Sequence, residues 1–207
     1  MSFRTINPAT GEFVKEFPLQ SDEQVFAALE TADRRYREDW KFRPVAERAK
    51  VVARAAQILR EKRDEYVKYL TLEMGKVTRF GYMEVDLVAD ILDYYAKNAE
   101  RFLAPQPLPD EPGATVVAEP IGVLFAIEPW NFPYYQLARV AAPQLVAGNV
   151  VLMKHAPNVP HCALAFARLF EEAGAPEGVY TNLFRSVEQA AKLKVDNRRN
   201  KKAPLVA

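Results

Sequence analysis

The chain has 207 residues, of which 49% are hydrophobic and 11% aromatic, so it can bury a core as one sizeable domain or two small ones. Its 28 Lys and Arg residues nearly balance its 27 Asp and Glu residues, and this excludes a protein-wide field that attracts nucleic acid or an anionic membrane. A single cysteine excludes an internal disulfide. Because no segment reads as a signal peptide or a membrane span, we expect a cytoplasmic protein.

The first forty residues predict a hairpin followed by a helix. Residues 3–18 alternate short apolar pieces with Asn-Pro and Thr-Gly turns, which is typical of an extended hairpin. Ser21 then precedes apolar residues at spacings of three and four, with charged residues between them. This pattern predicts an amphipathic helix over about residues 22–40.

Two longer helices are predicted next. Pro44 suits the first position of a helix, which we expect to break near residues 63–64 and to end at Gly75. A further helix should cover about residues 78–102, where a cluster of prolines ends it. The repeating apolar residues predict its buried face: Met83, Leu87, Ile91, Tyr94 and Tyr95.

Beyond the prolines, which predict a linker or crossover, the apolar pattern changes. Residues 114–119 read as a strand. Short apolar segments predict further strands at residues 122–127, 149–154 and 178–184, of which the first two are expected to be buried. Helical patterns lie between them, at about residues 134–146 and 160–173. The fold class is therefore α/β, with N-terminal helices followed by an incomplete Rossmann-like parallel sheet.

Residues 119–133, which read EPIGVLFAIEPWNFP, concentrate side chains that are suited to chemistry. Two prolines, an indole and a carboxamide follow the carboxyl end of a predicted buried strand, where open α/β sheets bind ligands. The side-chain amide of Asn131 can donate a hydrogen bond to a developing oxyanion. Taken alone, the same residues fit a rigid turn around a packed Trp130 equally well.

This segment and four others resemble, in order, the aldehyde dehydrogenase family. The other four are INPATGE at residues 6–12, LEMGK at 72–76, GNVVLMK at 148–154 and GAPEGV at 174–179. The resemblance covers about residues 2–191. Through KHAPNVP at residues 154–160, the sequence looks most similar to bacterial semialdehyde dehydrogenases of the succinate-semialdehyde type.

The resemblance implies roles for individual residues. Asn131 matches the asparagine whose side-chain amide stabilises the oxyanion of the thiohemiacetal. Lys154 matches the lysine that hydrogen-bonds the adenosine ribose. The residues assigned to cofactor binding are Ile127, Glu128, Pro129, Trp130, Lys154, Ala156 and Pro157.

The cofactor preference is inferred from Pro157. NAD-preferring relatives often carry a glutamate at this position, which accepts from the ribose 2′-hydroxyl and repels a 2′-phosphate. Pro157 lacks that charge, and Lys154 and His155 are expected to add positive potential. We therefore expect NADP or NAD as cofactor, with NADP slightly preferred, and no metal.

The resemblance also implies that parts of the active site are missing from this sequence. The nucleophilic cysteine and the general base of the family belong to later motifs. Cys162 lies in an apolar helical pattern, so we expect a buried, inert thiol. Glu73 and Glu128 match no general base, and charged residues at helix ends or turns are usually solvated. We expect the parent reaction, from aldehyde to carboxylic acid, to be negligible in this chain alone.

Two other functions stay open on this basis. The chain can act as a non-catalytic modulator within oligomers of a full-length relative, or as one subunit of a split enzyme. The implied partners are a small-molecule aldehyde and either further copies of the chain or a full-length relative, with neither nucleic acid nor membrane. Half a parallel sheet leaves an unpaired edge, which predicts poor solubility.

The predicted organisation has three parts. Residues 1–112 form the N-terminal hairpin and helical segment, and residues 113–193 form a partial NAD(P)-binding α/β unit, which ends with the start of another helix. Residues 194–207 are basic and lack an apolar period, so we expect a disordered tail.

Overall fold

A computed structural model describes residues 2–186. The chain begins with an antiparallel hairpin of β1 (Phe3–Ile6) and β2 (Phe13–Phe17). Four helices follow: α1 (Asp22–Glu38), α2 (Val45–Glu61), α3 (Arg63–Met74) and α4 (Thr78–Leu103). The hairpin, the break between α2 and α3, and the end of α3 at Gly75 confirm the predictions, and Gly75 adopts the left-handed conformation with φ of 68°.

Helix α1 begins at a cap that its own sequence supplies. The Ser21 hydroxyl accepts from Gln24 N at 3.2 Å, and Gln24 Oε1 accepts from Ser21 N at 2.9 Å. This reciprocal capping box satisfies two backbone donors at the helix start. The buried face of α1 consists of Val25, Leu29 and Ala32.

Helix α4 buries a different face from the one that its large apolar residues predict. Met83 and Leu87 are 61% and 45% exposed, and Tyr94 is exposed as well, whereas Ile91 and Tyr95 are half-buried. The buried residues are smaller on average: Gly81, Glu84, Val85, Val88, Ala89, Leu92 and Ala99. A Cβ atom at Gly81 would lie 2.9 Å from Val67 Cγ1, so close packing of α4 on α3 requires small side chains there.

The proline-rich segment after α4 contains one short strand, which corrects the expectation of a simple linker or crossover, and the strand predicted at residues 114–119 covers only two residues. Strand β3 (Gln106–Pro107) pairs antiparallel with β4 (Thr115–Val116). The predicted boundary between residues 112 and 113 lies in the turn of this hairpin. The main cluster of buried residues extends from Val25 to Leu183, and the division into two parts stays a prediction.

Strands and helices alternate after β4, as predicted. The order is β5 (Val123–Ile127), α5 (Pro133–Ala147), β6 (Val150–Lys154), α6 (Pro160–Glu172) and β7 (Tyr180–Asn182). The three strands form a parallel sheet in the order β5-β6-β7. The α/β fold class is therefore confirmed. Parallel strands place their carboxyl ends at one edge of the sheet, and the candidate site lies there.

Some predictions fall outside the described residues, namely the helix that begins near Ser186 and the basic tail at residues 194–207. Within residues 2–186, no helix has the length and apolar character that a membrane crossing requires.

Candidate functional site

The sheet brings the two predicted groups of site residues together. Ile127, the last residue of β5, is the register partner of Lys154, the last residue of β6. The pairing continues one residue further, since Glu128 N donates to Lys154 O at 3.1 Å. The turn at residues 128–132 and the turn at residues 155–159 therefore leave the sheet side by side.

The turn after β5 presents its side chains to solvent. Pro129 and Asn131 are exposed, Trp130 is 51% exposed, and Ile127 is exposed although it ends a buried strand. An accessible carboxamide next to an exposed indole can reach a ligand without rearrangement of the core. This arrangement makes Asn131 available as a hydrogen-bond donor.

Lys154 is a cation in a poorly hydrated position. Its residue is 5% exposed, its ammonium donates to His155 O at 3.4 Å, and Nζ lies 5.5 Å from the ring centroid of Phe3. Burial lowers the pKa of the Lys154 ammonium from its ordinary value. A largely buried ammonium gains from oxygen acceptors, so Lys154 favours a ligand that supplies them.

The N-terminal hairpin fixes the turn that carries the remaining predicted residues. Pro157 O accepts from Arg4 N at 3.1 Å, which ties the turn after β6 to β1. Ala156 is buried and Pro157 is half-buried in this turn. The backbone at Pro157 is therefore held by a hydrogen bond from β1.

His155 does not add positive potential, so that prediction was wrong. The ring is fully buried, and burial lowers the pKa of His155 to about 4. The neutral ring lies 3.2 Å from Glu128 O through Nδ1, and because a carbonyl only accepts, Nδ1 must carry the proton. His155 thus joins the end of β6 to the start of the Asn131 turn.

Glu128 stands in a different environment at the same edge. Burial raises the pKa of Glu128 to about 7, and the nearby Arg139 opposes part of this shift. The charge of this carboxyl group therefore changes near neutral pH. Such sensitivity is common in binding and catalytic sites, although it also occurs in structural positions.

Glu73 is buried, which corrects the expectation that it is solvated. Its Oε1 accepts from the Thr5 hydroxyl at 2.5 Å and from His161 N at 2.8 Å, and its Oε2 accepts from Cys162 N at 2.9 Å. The carboxyl group thus caps the N-terminus of α6 from outside the helix. Its role in the structure is to hold α6 against α3 and β1.

Cys162 is buried, as predicted for an inert core thiol. The residue has no exposed surface, and burial raises the pKa of the thiol well above its ordinary value. Because the thiolate is the nucleophilic form of cysteine, this environment disfavours nucleophilic chemistry at Cys162.

The sequence reasoning missed Lys76 and Glu84, which contact Phe132 and the first turn of α5, next to Asn131. Glu84 is buried in α4, where its carboxylate pairs with Lys76 and accepts from Tyr134 N at 2.9 Å. Lys76 was noted only as part of the segment LEMGK in the family resemblance, and Glu84 was not singled out in the helix predicted at residues 78–102. Among the described residues, no group of His, Cys, Asp and Glu side chains is arranged to hold a metal ion.

Comparison with known proteins identifies related sequences. The sequence model of the aldehyde dehydrogenase family matches residues 1–205. The succinate-semialdehyde dehydrogenase [NADP(+)] of Deinococcus radiodurans is 50% identical over 183 residues, which make up 88% of this chain and 38% of that protein. The chain spans about two fifths of the length of such relatives.

Solved structures share the fold. The succinic semialdehyde dehydrogenase of Streptococcus pyogenes, in complex with NADP+, superposes with a TM-score of 0.91 at 38% identity, over 99% of this chain and 44% of that one. An NAD-dependent benzaldehyde dehydrogenase of Corynebacterium glutamicum gives a TM-score of 0.84 at 31% identity, over 94% and 43%.

Proposed function

Since this chain belongs to the aldehyde dehydrogenase family, we propose that it supplies the oxyanion donor and one wall of the dinucleotide site of an NAD(P)-dependent semialdehyde dehydrogenase. The observation that carries the proposal is the pairing of Ile127 with Lys154 at the carboxyl edge of the sheet. That pairing puts the start of the exposed Asn131 turn beside the strand that ends at the buried Lys154, which supports a ligand site formed by both segments.

In the proposed reaction, an aldehyde and water give a carboxylic acid and a proton, as the C–H bond of the aldehyde breaks and its hydride passes to the bound cofactor. NAD(P)+ supplies the hydride acceptor when it is bound. The amide of Asn131 donates to the carbonyl oxygen as negative charge develops there, and removal of such a donor typically lowers kcat by roughly 10²- to 10³-fold. The ammonium of Lys154 donates to ribose or phosphate oxygens and orients the dinucleotide along the turns after β5 and β6.

We propose NADP as the preferred cofactor and a semialdehyde as the substrate class. Pro157 places no carboxylate where it would repel a 2′-phosphate. The relatives from D. radiodurans and S. pyogenes, which are described with NADP, support this preference. Their names also support an aldehyde that carries a second, carboxylate end.

Titration of the purified 207-residue chain with NADP+ and NAD+, followed by NMR chemical shifts, tests the cofactor site. We expect weak binding, because one wall of a groove buries little of the ligand. Lys154→Met should weaken binding by about tenfold because it removes a charge-assisted hydrogen bond. Lys68→Met, at an exposed position on α3, is the matched control and should bind like the unchanged chain.

Two outcomes would count against the proposal. If NAD+ binds tenfold more tightly than NADP+, the preference for NADP is wrong. If Lys154→Met and Lys68→Met bind the dinucleotide equally well, the assignment of Lys154 is wrong.

We also propose that this chain alone has negligible dehydrogenase turnover, because Cys162 is buried as a thiol and the family nucleophile belongs to a later motif. The measurement is NADPH or NADH formation with succinate semialdehyde as the probe, using protein of confirmed mass. Turnover comparable to that of an intact family member would contradict this.

A further inference from the structure

The turn that carries Asn131 is not held in place by its own burial. It connects the end of β5 at Ile127 with the start of α5 at Pro133, and Pro129 to Phe132 are all exposed. Phe132, at the N-cap position of α5, makes no side-chain capping bond. The conformation of Asn131 therefore depends on contacts that reach the turn from other elements.

A carboxylate from α4 makes the first of these contacts. Oε1 of Glu84 accepts from Tyr134 N at 2.9 Å and from Tyr135 N at 3.2 Å. These amides belong to the first turn of α5, where backbone donors lack partners within the helix. Because the Glu84 side chain has no exposed surface, the carboxylate is fixed by packing as well as by hydrogen bonds.

An ammonium makes the second contact, on the other side of the same carboxylate. Lys76 Nζ forms an ion pair with Glu84 Oε2, and the Lys76 side chain is only 9% exposed. The same Nζ lies 3.9 Å from the ring centroid of Phe132, within the range of a cation–π interaction. Lys76 thus links the carboxylate that caps α5 to the residue that follows Asn131.

We propose that Lys76 and Glu84 are positioning residues that set the Asn131 turn. Glu84 fixes the backbone on the carboxyl side of Asn131, and Lys76 fixes both Glu84 and the neighbouring ring of Phe132. The catalytic consequence, a correctly placed oxyanion donor, rests on the proposed function, whereas the effect on the turn does not.

Each contact has a specific chemical requirement. A buried carboxylate needs a charged partner, so loss of the Lys76 ammonium leaves Glu84 with two amide donors and an uncompensated charge. Glutamine at position 84 can still accept from the amides of α5 but cannot pair with Lys76 as an ion. Arginine at position 76 keeps both the charge and the capacity to lie over an aromatic ring.

Trp130 provides a local reporter of the turn. It is half-exposed and adjacent to Asn131, whereas Trp40, the other tryptophan of the chain, is fully buried in the core. Acrylamide quenching of tryptophan fluorescence therefore reports mainly on Trp130. A Trp130→Phe variant measures the residual signal from Trp40, and a neutral quencher is insensitive to the changes in charge.

The test compares Lys76→Met, Glu84→Gln and Lys76→Arg in the full 207-residue chain. Lys76→Met and Glu84→Gln should raise the acrylamide quenching constant by about twofold, as the turn approaches full exposure. Lys76→Met should also speed hydrogen exchange at Tyr134 N and Tyr135 N more than tenfold, whereas Glu84→Gln, which can still accept from these amides, should speed it less. Lys76→Arg should restore both quantities to those of the unchanged chain. Lys68→Met is the control for loss of a lysine charge.

Unchanged quenching and unchanged exchange in folded Lys76→Met and Glu84→Gln proteins would overturn the proposal. If these variants fail to fold, hydrogen exchange in the unchanged chain is the test. The amides of Tyr134 and Tyr135 should then be as protected as those inside α5, and unprotected amides would overturn the proposal. Dinucleotide titration of the unchanged chain is the separate test of function. A chain that shows the expected quenching but binds no dinucleotide keeps the positioning role and loses the proposed function.

Discussion

The backbone N–H groups in the first turn of a helix need acceptors from outside the helical hydrogen-bond pattern. Helix α1 obtains them differently from helices α5 and α6. In α1, Ser21 and Gln24 cap the first turn from within four consecutive residues. In α5 and α6, a proline begins the helix, the N-cap residue supplies no side-chain bond, and the cap is a buried glutamate from another helix. Glu84 of α4 serves α5, and Glu73 of α3 serves α6.

Local and remote caps differ in which parts of the chain they connect. A local cap needs no partner outside its own helix, whereas a remote cap ties the start of the helix to a distant element. Both remote caps lie directly after a turn that we assign to the dinucleotide site. The placement of these turns therefore depends on the packing of α3 against α6 and of α4 against α5.

The largest effect should come from Glu84→Ala. This change leaves the buried Lys76 ammonium without its carboxylate and removes the acceptor for two amides of α5. Removing one member of a buried ion pair typically costs about 3–5 kcal/mol. Urea unfolding, monitored by circular dichroism, measures the change in the free energy of unfolding.

Glu73→Ala is the matched comparison, because it also removes the acceptor for two amides at a helix start. Its partners include the Thr5 hydroxyl and the His161 ring but no lysine, so we expect a smaller loss of about 1–3 kcal/mol. Equal losses in the two variants would show that the ion pair with Lys76 contributes nothing beyond the cap.

His155 is a third remote contact to the Asn131 turn, and it predicts a pH dependence. Burial lowers the pKa of His155 from 6.5 to about 4, so between these values the unfolded chain binds a proton that the folded chain excludes. This contribution to stability is fully present above about pH 6.5 and is lost as the pH falls towards 4. Its full size is about 3 kcal/mol.

The pKa shift of Glu128 changes stability with pH in the opposite direction. Its carboxyl group must therefore be removed before the pH effect of His155 can be measured. Burial raises the pKa of Glu128 from 4.5 to about 7, so its folded form holds a proton more tightly and its contribution to stability falls as the pH rises through that window. We expect the free energy of unfolding of Glu128→Gln to drop between pH 6.5 and 5 more steeply than that of Glu128→Gln/His155→Asn. Identical slopes in the two variants would contradict the role of His155.

The smallest effect should come from Ser21→Ala in the local cap of α1. Loss of a serine N-cap typically costs about 1 kcal/mol, and the helix keeps its acidic first turn of Asp22 and Glu23. The measurement is urea unfolding together with dinucleotide titration, which should not change. A loss as large as that of Glu84→Ala would remove the distinction between local and remote caps.

Much of the fold was predictable because the sequence patterns that specify it involve residues close together along the chain. The capped start of α1, the break before α3, the glycine that ends α3 and the strand–helix alternation after residue 122 all follow from patterns within a few turns. The identities of Asn131 and Lys154 as site candidates came from their position after apolar strands and from resemblance. The parallel pairing of β5 with β6 then brings them to one edge of the sheet.

The wrong predictions concern which neighbours a side chain contacts in the folded chain. Helix α4 carries large apolar residues on one face and small ones on another, and periodicity does not say which face packs. Met83 and Leu87 were assigned to the core, but close packing against α3 selects the face of Gly81. Likewise, Glu73 was expected in solvent and His155 as a positive group, because a residue type does not reveal its burial.

The sequence by itself determined the order of the elements and the local cap of α1, because those properties are set by neighbours within one or two turns, while the segments proposed for a dinucleotide site were suggested by resemblance. Only the tertiary structure decided which glutamates cap α5 and α6, that Lys76 pairs with Glu84, and that His155 is neutral. The physical reason is separation along the chain: Glu84 and Tyr134 are 50 residues apart, and Glu73 and His161 are 88 residues apart. Such contacts, and the desolvation that comes with them, exist only once the helices have packed on the sheet.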